Sequence, residues 1–323
     1  MKKLKISAIL LFTVLLNSQM ASAQFGDLLN KAGKAVTSKG VQALGLDKIL
    51  KEPEAISTSF DDVNQEGKEM PDFESNAQYL PFSTLEKNGD GGYVLQSGHF
   101  EMINKSYCLK AGTFAPSAGD GYMYAPVLGK KKDIVTAILK SAEKHPEVQQ
   151  TDIQMLLWTI IAKTKFIDYS GPVKETALRL LTAKQILQLE GGALGILPFD
   201  VMAKAKSSMP PAIQKIFEAE NNIRQLVSSG NYTYAEFEKY AIMAGMAPVR
   251  ADIPSGIWTL HPDGYYIRYY PSGYSQTKVQ IYVPETLIKD RGSKKLIYDA
   301  TDDIACPANT GSQRLAQTNE PIK

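Results

Sequence analysis

Residues 264–283 read GYYIRYYPSGYSQTKVQIYV, and this stretch decides the fold class. Apolar and polar side chains alternate over 264–270 and again over 274–283, which is typical of strands that bury one face. Residues 271–273, Pro-Ser-Gly, separate the two runs and favour a hairpin turn. The stretch therefore predicts an antiparallel hairpin with one face in a core.

The other face of this hairpin is the first candidate site. Alternation places Tyr265, Ile267 and Tyr269 on the core side. The opposite face combines tyrosines with cationic and amide side chains, and its members are Tyr266, Arg268, Tyr270, Lys278, Gln280 and Tyr282. This composition is typical of surfaces that bind glycans or proteins. An ordinary solvated sheet face also accommodates tyrosine, so both interpretations stay open here.

Outward from the hairpin, the chain divides by composition. Short strand-like runs occupy 78–128, and apolar residues at helical spacing occupy 129–250. The predicted helices of this region include one over 151–166 and one over 233–244. The hairpin belongs to a β-rich part at 251–306, followed by an irregular polar tail at 307–323. Residues 24–77 resemble an N-terminal arm and polar linker, in which 25–50 have the spacing of a peripheral membrane helix. We expect an α+β fold in which β-rich N- and C-terminal parts flank a helical middle region.

The first residues predict export. Lys2, Lys3 and Lys5 precede an apolar run at 6–16, and residues 21–23, Ala-Ser-Ala, form a small-residue cleavage site. These are the parts of a secretory signal peptide, which we expect at 1–23, with the mature protein in the periplasm or outside the cell. The apolar run is too short for a membrane span, and no transmembrane segment is expected after it.

Removal of this leader changes the charge balance. The leader carries three of the 36 basic residues and none of the 34 acidic ones, so the mature net charge is about −1. A chain without excess positive charge is not expected to bind nucleic acid.

Export also makes the two cysteines, Cys108 and Cys306, informative. In an oxidising compartment, two cysteines in one chain favour a single disulfide bond. Such a bond would bring the two β-rich parts side by side. The sequence predicts it as one option for Cys108.

A second option joins Cys108 to Gln154. Cys108 follows Tyr107 in a strand-like run, while Gln154 lies near a helix start with Trp158 four residues later. Over residues 106–160 this pattern resembles the thioester domains of bacterial surface adhesins, with Ile153 where that family has threonine. The resemblance implies that the thiol and the side-chain amide condense to an internal thioester. An amine or hydroxyl group of a target then attacks this activated acyl group.

Two further interpretations compete with these. Thr151 and Gln154 have the spacing of a capping box, in which the glutamine amide only closes a helix end. Glu218 and Glu220 could form the acid pair of a cell-wall hydrolase, or lie solvated on an exposed helix face. The three histidines are too scattered to predict a metal site or a Cys–His hydrolase.

Together these patterns predict an exported, non-enzymatic binding or surface-interaction protein without a metal or other cofactor. Its aromatic sheet face would recognise a glycan or protein partner at the cell envelope. The main alternative is an adhesin-like covalent-attachment domain that uses Cys108 and Gln154. A cell-wall hydrolase is the third possibility.

Overall fold

The computed structural model describes residues 53–64, 77–190 and 211–322. The predicted signal peptide, the amphipathic stretch at 25–50 and part of the predicted linker lie outside these residues.

The secondary structure begins with short strands. They are β1 (Leu80–Pro81), β2 (Tyr93–Leu95), β3 (Gly98–Cys108), β4 (Thr113–Phe114) and β5 (Tyr122–Pro126). Six described helices follow, which are α1 (Lys132–Lys144), α2 (Gln150–Ile161), α3 (Gly171–Leu180), α4 (Ala183–Leu189), α5 (Pro211–Ser229) and α6 (Tyr234–Ala241). The remaining elements are β6 (Ile242–Met243), β7 (Thr259–Leu260), β8 (Tyr266–Ser272), β9 (Gln276–Val283), α7 (Glu285–Arg291), β10 (Leu296–Tyr298), β11 (Asp303–Pro307) and β12 (Leu315–Pro321). The chain therefore mixes helices with strands.

The largest sheet has the strand order β5-β11-β12-β3-β9-β8-β7, with every neighbouring pair in this order antiparallel, and β1 pairs with β3 in parallel. Two small sheets pair β2 with β10 and β4 with β6. β3 comes from the N-terminal side of the helices, and its neighbours β9 and β12 come from the C-terminal side. The largest sheet curls so that its two end strands meet, as shown by the hydrogen bond from the Tyr124 N–H on β5 to Thr259 Oγ1 on β7 at 3.3 Å. Residues far apart in sequence therefore meet along β3.

Most predicted helices are present, and two end earlier than their apolar spacing indicated. The helix expected over 151–166 ends as α2 at Ile161, since Lys163 adopts a left-handed φ of 59°. The helix expected over 233–244 ends as α6 at Ala241, because residues 242–243 pair with β4 instead.

The predicted disulfide bond is absent, and both thiols are buried and free. Strand β12 lies between the strands that carry Cys108 and Cys306. Two strand spacings make about 9.6 Å, well beyond the roughly 4.4–6.8 Å between α-carbons that a disulfide needs. Register also separates the thiols, because Cys108 and Ala305 both align with Leu315, which puts Cys306 on the opposite face. The two β-rich parts are joined by strand pairing rather than by a covalent bond.

The irregular polar tail is a second wrong prediction. Residues 315–321 form β12, which lies in the middle of the sheet between β11 and β3. Gln317 and Asn319 are fully buried, so hydropathy gave no sign of a central strand. Buried contacts replace water here, since Asn319 accepts from the Ala300 N–H at 2.8 Å and donates its own N–H to Glu143 at 2.7 Å.

The predicted linker is also wrong over residues 53–64, which pack against the core. Ile56, Phe60 and Val63 are buried. The guanidinium of Arg314 donates to the main-chain oxygens of Ile56 and Thr58 and pairs with Glu54 at 3.2 Å. A buried arginine thus fastens this segment to the start of β12.

Candidate functional site

The most distinctive site lies where β3 loses its neighbour β9. Pairing of these strands ends at Lys105 and Gln276, yet β3 continues to Cys108. The hairpin turn supplies the next contact, from the Ser106 N–H to Ser275 O at 2.9 Å. Beyond that point two side chains of α2, Gln150 and Gln154, complete the edge. Four residues along a helix span about 6 Å and two residues along a strand about 6.8 Å. Gln150 and Gln154 are therefore spaced to meet Ser106 and Cys108, which are two residues apart on β3.

Gln154 pairs with Cys108 as a neighbouring strand would. The Cys108 N–H donates to Gln154 Oε1 at 2.7 Å, and Gln154 Nε2 donates to Cys108 O at 3.0 Å. The capping-box interpretation of Thr151 and Gln154 is therefore wrong. Helix α2 starts two residues earlier, with Gln149 as its N-cap and no side-chain cap. Gln150 lies nearer the surface, where its Nε2 donates to Ser106 O and Ser275 O at 3.1 and 2.8 Å.

The Cys108–Gln154 pair is shielded from solvent. Cys108 is 0% exposed and Gln154 is 3% exposed. Trp158 is fully buried one turn further along α2 and stacks on Tyr234 of α6 with ring centroids 5.9 Å apart. Next to the pair is a cavity of about 210 Å³, lined by Ser106, Gln150, Thr151, Gln154, Tyr234, Tyr274 and Ser275. A small molecule that enters this cavity can therefore lie against the Gln154 amide.

A short chain of polar groups lines the far side of the cavity. Tyr234 and Glu238 lie one helical turn apart on α6, and Tyr274 lies in the β8–β9 turn. The Tyr234 hydroxyl donates to the Tyr274 hydroxyl at 3.2 Å, and the Tyr274 hydroxyl donates to a Glu238 carboxylate oxygen. The turn is held down by Ser106, whose hydroxyl donates to Tyr274 O at 3.0 Å.

The environment of Cys108 disfavours its thiolate. Burial, assisted by the charge of Glu238, raises the pKa of the Cys108 thiol well above its usual value. Burial raises the pKa of the Cys306 thiol to about 12. Neither thiol is a ready nucleophile by itself, so any reaction of Cys108 needs a group that accepts its proton.

The six residues predicted for the aromatic sheet face do share one face of the hairpin. Tyr266 aligns with Tyr282, Arg268 with Gln280 and Tyr270 with Lys278. Their alternates behave as predicted too, since Tyr265, Ile267 and Tyr269 are at most 1% exposed.

Arg268 lies at the centre of this aromatic face. Its guanidinium carbon lies 4.4 Å from the Trp258 ring centroid and 5.2 Å from that of Tyr270. Its Nε donates to Gln280 Oε1 at 2.7 Å, and Gln280 Nε2 donates in turn to Glu101 at 2.6 Å. The hairpin sequence identified the tyrosines and Arg268. It missed Trp258, which directly precedes β7, and Glu101, which lies on β3.

The acidic pair on α5 does not have the arrangement of a hydrolase site. Residues two apart on a helix point in different directions, so Glu218 and Glu220 cannot flank one bond. Glu220 is also not on an exposed face, because its side chain is only 14% exposed and lies 4.0 Å from Arg224. Burial raises the pKa of the Glu220 carboxyl.

Among residues 53–64, 77–190 and 211–322, no helix is long and apolar enough to cross a membrane. In the same residues, no group of three or more His, Cys, Asp or Glu side chains is placed to hold a metal ion.

Sequence reasoning had already paired Cys108 with Gln154, but it missed Gln150, Tyr234, Glu238 and Tyr274. The repeat of glutamine at 150 and 154, four residues apart, was the one sequence signal for Gln150. The tyrosines and Glu238 reach the cavity from distant segments, and nothing local in the sequence connects them.

Comparison with protein families, with curated proteins and with solved structures found no match to this chain.

Proposed function

We propose that this chain is an exported covalent-attachment protein in which Cys108 and Gln154 form an internal thioester. The single observation that carries the proposal is the pair of hydrogen bonds that holds the Gln154 amide against the main chain of Cys108, 46 residues away in sequence. We also infer the finer α+β arrangement, with the helical middle region inserted between strands of one sheet.

The orientation of the amide supports this chemistry. The Gln154 amide continues the hydrogen bonding of the sheet, so its plane follows the sheet, whereas the Cys108 side chain stands roughly perpendicular to the sheet. The thiol therefore projects out of the plane of the amide, and nucleophiles add to an amide carbon from outside that plane. The Cys108 N–H already donates to Oε1 and would stabilise the negative charge that develops on this oxygen.

The environment supports the survival of the product. A thioester hydrolyses when water reaches it, and burial of Cys108, Gln154 and Trp158 excludes bulk water. The cavity beside Gln154 gives room for the departing ammonia and, later, for an attacking group.

Intact mass of the mature protein tests the proposal. Condensation of Cys108 with Gln154 releases ammonia, so we expect a mass about 17 Da below that of the unmodified sequence. The deficit should disappear in Cys108→Ala and in Gln154→Ala. Cys306→Ala is the matched control, because its thiol lies on the other sheet face, and it should keep the deficit. An unmodified wild-type mass would refute the proposal.

A second function, recognition of a glycan by the aromatic sheet face, is favoured by the shared face of the six hairpin residues. Tyrosine rings stack on sugar rings, and Arg268 and Lys278 donate to sugar hydroxyls. Tyr266→Ala with Tyr270→Ala should abolish retention on the glycan ligand in an array of envelope polysaccharides. Tyr240→Ala on α6 is the control. Retention unchanged by the double substitution, or capture of protein ligands only, would contradict glycan recognition.

A further inference from the structure

We propose that Glu238, acting through the Tyr274 hydroxyl, is the positioning residue that exchanges protons with the Cys108–Gln154 site. This inference rests on the proposed thioester and adds to it the route by which protons move. The Cys108 thiol is buried and must lose its proton during thioester formation, so the site needs a group that accepts this proton.

The hydrogen-bonded chain from Glu238 reaches the cavity beside Gln154 at Tyr274. Tyr274 and Gln154 line the same cavity of about 210 Å³. The Tyr274 hydroxyl donates to Glu238 and accepts from Tyr234. The stacking of Tyr234 on Trp158, one turn beyond Gln154, fixes this chain relative to the amide. Glu238 thus has an ordered link to the cavity although it does not line the cavity itself.

The proton balance of thioester formation assigns each group a step. The Cys108 thiol gives its proton to the Tyr274 hydroxyl, which passes its own proton to the Glu238 carboxylate. The new C–S bond forms as the carbon–nitrogen bond of the Gln154 amide breaks. The proton then returns to the departing nitrogen, which leaves as ammonia, and no oxidant or reductant is consumed.

Opening of the thioester uses the same route in reverse. An attacking amine forms a C–N bond, the C–S bond breaks, and the proton lost by the amine travels through Tyr274 to Cys108. One group therefore serves both directions, as reversibility requires.

The titratable groups around Glu238 suit this role. They are Tyr234 on the same helix, Tyr274 in the hairpin turn and Cys108 on β3. Burial raises the pKa of Tyr234 to about 12, and burial with the hydrogen bond to Glu238 raises the pKa of Tyr274. Both hydroxyls stay protonated at neutral pH and pass protons by exchange, so the carboxylate is the acceptor.

The test measures aminolysis by methylamine in the full mature chain. Conversion of the thioester to the methylamide is followed by intact mass between about pH 5 and pH 8 in wild type, Glu238→Gln and Tyr274→Phe. We expect each substitution to slow aminolysis on the order of 10²-fold at the upper pH, the usual size of general acid–base effects. Glu236→Gln is the matched control, because it neutralises a carboxylate on the same helix while glutamine still completes the capping box with Thr233.

The rate of the conservative variant distinguishes proton exchange from a structural role. For proton exchange, Glu238→Asp recovers part of the rate that Glu238→Gln loses, because aspartate restores a carboxylate. A Glu238→Asp rate no higher than that of Glu238→Gln, or a Glu238→Gln rate equal to wild type, would overturn the inference while leaving the thioester intact. A wild-type mass without the deficit of about 17 Da would instead refute the proposed function, and this inference with it.

Discussion

The hydrogen bonds between Gln154 and the Cys108 main chain have a measurable energetic consequence. Replacement of Gln154 by leucine keeps a side chain of similar size but removes both partners. The buried N–H and C=O at position 108 then lose their contacts of 2.7 and 3.0 Å on that side. A second strand cannot replace them, because β9 has already left β3 at Lys105.

The expected loss follows from the number of orphaned groups. An unsatisfied buried polar group costs about 1–3 kcal/mol, so two cost about 2–6 kcal/mol. Leucine packs better than glutamine in an apolar site, which offsets part of this, and we expect a net loss of about 3–4 kcal/mol. Gln150→Leu is the matched control, since it also removes two hydrogen bonds on α2. Its partners, Ser106 O and Ser275 O, lie at the rim where water can replace the amide, so we expect about 1 kcal/mol.

Urea denaturation measures both losses in a Cys108→Ala background. That background cannot form a thioester, so the amide of Gln154 remains intact and the main-chain groups of position 108 are kept. The urea concentration at the midpoint of unfolding should fall several-fold further for Gln154→Leu than for Gln150→Leu. The slope of the unfolding free energy against urea concentration should stay unchanged. Equal losses from the two substitutions would refute the assignment of Gln154 as the strand-edge partner of Cys108.

Three other predictions concern the rest of the fold. Iodoacetamide should label Cys306 in urea but not in native protein, under either oxidising or reducing conditions, because the thiol is buried and Cys108 lies on the opposite sheet face. A disulfide between the two cysteines in native protein would contradict the sheet register. Arg314→Met should lower the unfolding free energy measured in urea by about 3–5 kcal/mol, because it removes the contacts of Arg314 with Ile56 O and Glu54. The same substitution at the exposed Arg179 should cost at most about 0.5 kcal/mol, and similar losses at the two positions would contradict the anchoring role of Arg314. Burial and the charge of Arg314 lower the pKa of Lys110 to about 8, so above that pH the unfolded chain binds more protons than the folded one. The unfolding free energy of wild type relative to Lys110→Met should therefore rise between about pH 8 and pH 9.5, and a difference that stays flat or falls would contradict the lowered pKa.

Local periodicity predicted those parts of the fold whose burial follows a simple repeat. The β8–β9 hairpin alternates with period two, and α1 and α2 carry apolar residues at helical spacing, so their positions were predictable. The boundaries were less so, because left-handed Lys163 and the pairing of β6 with β4 end helices whose apolar spacing continues. Both are tertiary or single-residue effects that periodicity does not contain.

Strand β12 shows why the remainder was not predictable. Its residues at 317–319, Gln-Thr-Asn, are polar, yet they are buried, and other elements supply hydrogen bonds to Asn319 Oδ1 and to the main-chain oxygen of Thr318. A sequence pattern reports polarity and not the partners that compensate for it. The prediction of a disulfide bond between Cys108 and Cys306 failed for a similar reason, because only the sheet order reveals that β12 separates the two cysteines.

The candidate site was half predictable. Resemblance to thioester domains paired Cys108 with Gln154, and the structure brings these residues together. The competing capping box was plausible on spacing alone, but the amide of Gln154 is used by a strand 46 residues away rather than by its own helix. Tyr274 and Glu238 enter the site through the hairpin turn and α6, and they have no local signature.

The intact mass of the mature wild-type chain, measured beside Cys108→Ala, tests the thioester most directly. An internal thioester predicts a wild-type mass about 17 Da below the unmodified sequence, and no deficit in the variant. A wild-type mass equal to the unmodified sequence would contradict the thioester. So would a deficit of only about 2 Da with Cys108 and Cys306 in one cross-linked peptide, which would also contradict the sheet register.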